Sequence, residues 1–184
     1  MKKTRLYNPL LVAAVFSTFF AHTAMASDGT ITFNGKITAN TCTVKLDNNG
    51  TGTGSVTLPT ISINALPSNN SVAGTTQFKI NLSGCSITEG ASVSTYFEPG
   101  ATVNAAGRLS NSTGSSSGID IQLLNADYAI IDASKPSSSQ NDKKVAMAVS
   151  DTSAALTYYA QYHSNGAPTA GTLITQVNYT VAYD

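Results

Sequence analysis

Few residues in this chain have the types and spacing that chemistry needs. Gly114-Ser-Ser-Ser-Gly118 has the spacing of a serine nucleophile on a sharp strand-to-helix turn. It lies in a run of Ser and Gly without the strand and helix that such a turn joins. A serine nucleophile also needs a histidine base. His163 is the one histidine beyond residue 26, and it is expected on the surface at the end of a strand. Gly29 and Gly35-Lys36 look like a phosphate-cradling loop, but the spacing between the glycines is one residue too long. Asp47-Asn-Asn-Gly50 has calcium-loop residue types without the remaining ligands of such a loop. Asn69, Asn81, Asn111 and Asn178 begin Asn-x-Ser/Thr triplets, which a chain rich in these three residues produces by chance. No catalytic residue, metal site or cofactor is expected, and the chain reads as non-enzymatic.

Cys42 and Cys85 are the two cysteines. A reactive or metal-binding thiol would call for a Cys-x-x-Cys pair or nearby histidine ligands, and neither is present. In an exported protein the pair is expected to form one structural disulfide. Closing a loop of about 43 residues in this way stabilises a fold by ~4 kcal/mol on the chain-entropy model.

Export is itself legible. Lys2, Lys3 and Arg5 precede a short apolar run from Leu10 to Phe20, and Ala24-Met25-Ala26 supplies small residues for cleavage. Residues 1–26 are therefore expected to be a secretory signal peptide, with the mature chain starting at Ser27. Three of the 10 Lys and Arg lie in that peptide and all 10 Asp and Glu lie beyond it, so the mature chain carries seven against ten, a net charge of −3. A weakly acidic chain without basic runs argues against a nucleic-acid partner. The 158 residues left from 184 suit one domain, and their wealth of Thr, Ser, Asn, Gly and Val suits an all-β one.

The element that organises such a domain is the stretch Gly171-Thr-Leu-Ile-Thr-Gln-Val-Asn-Tyr-Thr-Val-Ala-Tyr-Asp184. Leu173, Thr175, Val177, Tyr179, Val181 and Tyr183 fall on one face of a strand and more polar residues on the other. At about 3.3 Å per residue the stretch reads as a strand of roughly 45 Å. So long an edge invites pairing with something else. A second alternating stretch follows the signal peptide: Gly29, Ile31, Phe33, Gly35 and Ile37 share one face, with Asp28, Thr30, Thr32, Asn34 and Lys36 opposite. Strands are also expected at residues 41–46, 55–58, 77–85, 91–98, 119–124, 145–150 and 156–162. Residues 128–133 would extend a hairpin, residues 60–66 a short helical turn, and residues 110–117 and 135–144 polar loops. Several short strands separated by turns read as a β-sandwich.

These residues resemble the structural subunits of chaperone–usher fimbriae, of the type 1 pilus kind. Gly171 stands fourteenth from the end and Tyr183 penultimate, as in that family's C-terminal motif. Tyr158-Tyr-Ala-Gln-Tyr162 followed by Gly166 resembles its penultimate strand, and Phe78-Lys-Ile-Asn-Leu-Ser-Gly-Cys85 the strand with its second cysteine. Residues 28–44 resemble the starts of these pilins, particularly of tip-fibre adaptor subunits. Asp184 departs from the family, which more often ends in Gln.

The resemblance implies an incomplete immunoglobulin-like β-sandwich lacking its seventh strand, with an N-terminal donor strand. Residues 27–38 would be the donor extension and residues 39–184 the pilin domain. Gly29, Ile31, Phe33, Gly35 and Ile37 would enter a neighbouring subunit's groove. Gly171, Leu173, Thr175, Val177, Tyr179, Val181, Tyr183 and Asp184 would form the acceptor and chaperone-binding strand. The implied partners are neighbouring fimbrial subunits, a periplasmic chaperone and an outer-membrane usher. The implied destination is an extracellular fimbria, through which any contact with host-surface glycans would be made. A minor tip or adaptor subunit, or a carbohydrate-binding adhesin, are the alternative roles; family adhesins carry an extra N-terminal lectin domain.

Overall fold

The computed structural model describes residues 30–35, 37, 39, 41–47, 50–87 and 90–184. The expected signal peptide, the start at Ser27 and the donor residue Gly29 lie outside them. The chain divides into two units, Met1–Lys36 and Ile37–Asp184. In the first, residues 30–35 belong to no strand and are exposed, so the expected strand has no ladder of its own.

The second unit is all-β, and its strands follow the apolar alternation. They are β1 (Thr41–Leu46), β2 (Val72–Ser86), β3 (Ala91–Phe97), β4 (Leu109–Ser110), β5 (Ile119–Leu124), β6 (Ile130–Ile131), β7 (Val145–Met147), β8 (Ser153–Ser164) and β9 (Tyr179–Tyr183). One sheet runs β1-β2-β8-β5-β4, with β6 also on β5, and a smaller one runs β7-β3-β9. Every described ladder is antiparallel. Phe78, Ile80 and Leu82 on β2 and Leu156, Tyr158 and Ala160 on β8 turn the same way, into the core. Phe97 of β3 meets them from the other sheet: its ring stands edge-on to that of Tyr158, with centroids 5.2 Å apart. All six residues of β5 are buried, as befits a strand with neighbours on both edges.

Cys42 and Cys85 form the expected disulfide, with Cα atoms 4.1 Å apart. It joins β1 to β2 where their register slips between Thr41 and Thr43.

Three expectations need correcting. Residues 55–58 form no ladder, although Val56 and Leu58 still pack on the core. Residues 135–144 are more than a polar loop. Gln140 is fully buried there; its Oε1 accepts from the Phe97 N–H at 3.0 Å and its Nε2 donates to the Phe97 carbonyl at 2.5 Å and the Lys135 carbonyl at 2.9 Å. Asp142 Oδ2 accepts from the Thr95 N–H at 2.6 Å, and its Oδ1 from the Tyr158 hydroxyl at 2.8 Å. β7 matches only Ala91 to Val93. These two side chains do for the rest of β3 what a longer strand would otherwise do. Burial raises the Asp142 pKa against the hydrogen bonds that lower it.

His163 is the third correction. It is 5% exposed rather than on the surface, because it sits one residue inside the end of β8 with β2 on one edge and β5 on the other. Its Nδ1 finds no hydrogen-bond partner among the described residues. Burial lowers its pKa, the Arg108 charge lowers it further, and Asp120 opposes both.

Candidate assembly groove

Residues 172–181 keep strand alternation: Leu173, Thr175, Val177, Tyr179 and Val181 are half-buried, while Thr172, Ile174, Gln176, Asn178 and Thr180 are exposed; beyond them Ala182 and Tyr183 are both half-buried. Leu173, Val177, Tyr179, Val181 and Tyr183 pack against the core. Among the described residues only Tyr179–Tyr183 forms a sheet ladder, however, and it does so with β3 alone. The expected 14-residue strand is therefore regular in its side chains and not in its pairing.

Backbone groups alternate as well, so the even and odd residues face opposite edges. The even edge is occupied throughout. Asp184 and Ser92 exchange two hydrogen bonds of 2.9 Å, and the Glu98 N–H donates to the Asn178 carbonyl at 2.8 Å. Beyond the end of β3 the Thr102 hydroxyl donates to the Gln176 carbonyl at 2.5 Å. The Ser112 N–H then donates to the Ile174 carbonyl at 2.8 Å and the Ser116 N–H to the Thr172 carbonyl at 2.9 Å. On the odd edge the backbone groups of Leu173, Thr175, Val177, Tyr179, Val181 and Tyr183 have no strand partner among the described residues. The Thr175 hydroxyl is buried, also without a partner among them.

The opposite margin of the opening is β1, the edge strand of the larger sheet, with Cys42 and Val44 half-buried against the core. Tyr179 reaches over to this side, its hydroxyl donating to the Gly52 carbonyl at 2.6 Å. Burial raises the pKa of both Tyr179 and Tyr183, and the Cys42 backbone opposes the shift at Tyr183. One sheet therefore ends in β1 and the other in β9, with no strand between these two edges among the described residues. At the end of the wall, the Asp184 carboxylate pairs with Lys144 Nζ at 2.6 Å, both side chains well exposed. Two edge strands with half-buried apolar side chains and free backbone groups can accept one more strand.

Of the residues expected to donate a strand, Ile31, Phe33, Gly35 and Ile37 are described, and all are exposed, Phe33 to 89%. Residues 110–117, read from sequence as a polar loop, supply the hydrogen bonds that hold Thr172 and Ile174. Their Ser, Gly and Asn content signalled a loop, and nothing local signalled what the loop would hold.

An immunoglobulin-like sandwich open along its C-terminal strand is the architecture of fimbrial subunits. The fold matches a solved chaperone–usher pilus, described for the uncoiling of its rod, with a TM-score of 0.55 and 19% identity, covering 89% of this chain and 100% of that one. The model of the family described as FimA, type-1 fimbrial protein, A matches residues 58–184. The chain is 41% identical over 166 residues to the major fimbrial subunit SMF-1 of Stenotrophomonas maltophilia, covering 88% of this chain and 95% of that protein. It is 39% identical over 189 residues to the F17 fimbrial protein of Escherichia coli, covering 100% and 99%. The chain belongs to the type-1 fimbrial protein family and is a structural fimbrial subunit.

Proposed function

We propose that this subunit polymerises by donor-strand exchange, with the alternate residues Gly29, Ile31, Phe33, Gly35 and Ile37 of one copy entering the open edge of the next. The observation that carries the reading is the odd edge of residues 173–183, whose side chains lie on the core while its backbone groups await a strand. Burying Ile31, Phe33 and Ile37 at ~1.5–3 kcal/mol each contributes roughly 5–9 kcal/mol before any backbone ladder is counted. Gly35 suits a point where donor and acceptor backbones approach closely.

In this reading residues 1–26 direct export, residues 27–38 are the donor and residues 39–184 the acceptor domain. An open apolar edge invites aggregation, so a periplasmic chaperone fills it first and an outer-membrane usher exchanges the chaperone's strand for the next subunit's. Gly171, Leu173, Thr175, Val177, Tyr179, Val181, Tyr183 and Asp184 serve both partners in turn. The product is an extracellular fibre on the cell surface.

Phe33→Asp tests the exchange. A carboxylate in a neighbour's apolar groove costs several kcal/mol, while the mutant's own sandwich keeps every core residue. The variant is expected to be exported, oxidised at Cys42 and Cys85 and co-purified with chaperone, yet to form no fibres by electron microscopy. Thr32→Asp, on the other face of the donor, is expected to assemble. Normal fibres from Phe33→Asp sink the reading, as does loss of its chaperone complex.

A further inference from the structure

The first half of the acceptor wall has no strand beside it among the described residues, and one side chain does much of the work that a strand would do. Asn111 Nδ2 donates to the Thr172 carbonyl at 3.2 Å and to the Ser116 carbonyl at 2.8 Å. Its Oδ1 accepts from the Ile174 N–H at 3.0 Å and from the Gly114 N–H at 2.9 Å. Two backbone donors on one side and two carbonyls on the other leave a single orientation for the amide. It is a complete four-bond junction between loop 111–117 and the wall.

Around it the two backbones touch. A Cβ on Gly114 would stand 2.1 Å from the Thr172 carbonyl oxygen, and one on Gly171 would stand 2.6 Å from the Ser116 nitrogen. Both positions exclude any side chain, so loop and wall are in direct contact rather than bridged by long flexible groups. The Ser112 hydroxyl adds a second bond of 2.8 Å to the Ile174 carbonyl.

We propose that Asn111 is a positioning residue for donor uptake. By fixing Thr172 and Ile174 on the even edge, it aims the backbone groups of Leu173 and Thr175 at the open edge, where a donor strand must meet them. The half-groove at these residues is then as well formed as loop 111–117 makes it. This rests on the donor-strand reading above and adds to it a residue that never touches the donor.

The test uses the mature chain purified from periplasm and a labelled peptide of residues 28–38. Asn111→Ala is expected to slow peptide uptake about tenfold, the loss of one to two net hydrogen bonds. Amide hydrogen exchange is expected to accelerate at Thr172 and Ile174, whose N–H groups the loop holds, and to stay unchanged at Ala182 in the β3 ladder, with the disulfide retained and the melting temperature lowered by a few degrees. Gly114→Ala, which displaces the wall through sterics rather than bonding, is expected to give the same split. Should Asn111→Ala fail to fold, Ser112→Ala gives the same readout with a slowing of a few-fold, one hydrogen bond at Ile174. Uptake at wild-type rate in these variants overturns the proposal alone, and so does exchange that accelerates equally at Ala182. A wild-type chain that takes up no peptide overturns the donor-strand reading and the proposal with it.

Discussion

The two halves of the C-terminal wall have the same side-chain alternation and different support. Residues 179–183 lie in a sheet ladder with β3, whose own far edge is tied down by Gln140 and Asp142. Residues 171–178 are held by Thr102, by loop 111–117 and by the chain just past β3. A ladder shares its load among regular bonds on one element. The loop contacts combine two backbone hydrogen bonds with a few side-chain bonds, all from about 60 residues away in sequence. Apolar alternation alone is therefore enough to seat a strand on a core, but a strand needs a neighbour to be rigid. In the donor-strand reading proposed above, a subunit that gives up one donor for another has reason to keep part of its wall on the more yielding support.

Matched carboxylates in the two halves would expose this difference most strongly. Val181 and Val177 are both half-buried against the core. Val181→Asp holds its charge there through the ladder and is expected to cost several kcal/mol. Val177→Asp can move outward by loosening loop contacts and is expected to lose only about 1–2 kcal/mol. Urea denaturation of the purified subunits measures both. Equal losses would mean that the loop holds its half as firmly as β3 holds the other.

A smaller effect belongs to the ladder half alone. Asp142 accepts from the Thr95 N–H of β3, and burial raises its pKa. A carboxyl whose folded pKa lies above its unfolded one contributes stability below the unfolded pKa, and that contribution is lost as pH rises through the folded value. Relative to Asp142→Asn, the wild type is therefore expected to gain stability as pH falls through the carboxylate range. Hydrogen exchange at Ala182 is expected to follow this trend and exchange at Ile174 to ignore it. A pH-independent difference between the two proteins would remove Asp142 from the account.

What could be read from sequence was what depends on near neighbours. The run Ile119-Asp-Ile-Gln-Leu-Leu124 coincides with β5, and the alternation from Leu173 to Tyr183 coincides with the face seated on the core. Both follow from the period of a strand. Pairing partners were not legible, because they are set by chain segments far away. Leu173 and Val181 carry the same pattern, yet one segment lies beside β3 and the other beside a serine-rich loop. Gln140 looks like any polar loop residue until β3 brings two unpaired backbone groups to it, and His163 like any strand-end histidine until β2 and β5 close over it. The disulfide was readable because two cysteines leave one pairing to consider.

The smallest effect is expected at Thr175, midway along the loop-held half. Its hydroxyl is buried on the face turned to the core and has no hydrogen-bond partner among the described residues. Valine has nearly the same shape and no hydroxyl to desolvate. Burying an unsatisfied hydroxyl costs ~1–3 kcal/mol in protein mutational data, and a wall free to shift recovers part of that by admitting water. Thr175→Val is thus expected to stabilise the donor-free subunit by about 1 kcal/mol at most, measured as a rise in the urea midpoint with an unchanged slope. The corresponding change on the outward face, Thr180→Val, removes the hydroxyl's 2.5 Å hydrogen bond to Glu98 and is expected to give no gain. A loss of stability in Thr175→Val would show that the hydroxyl is satisfied in solution, and that this half of the wall sits closer to a polar neighbour than its place beside loop 111–117 implies.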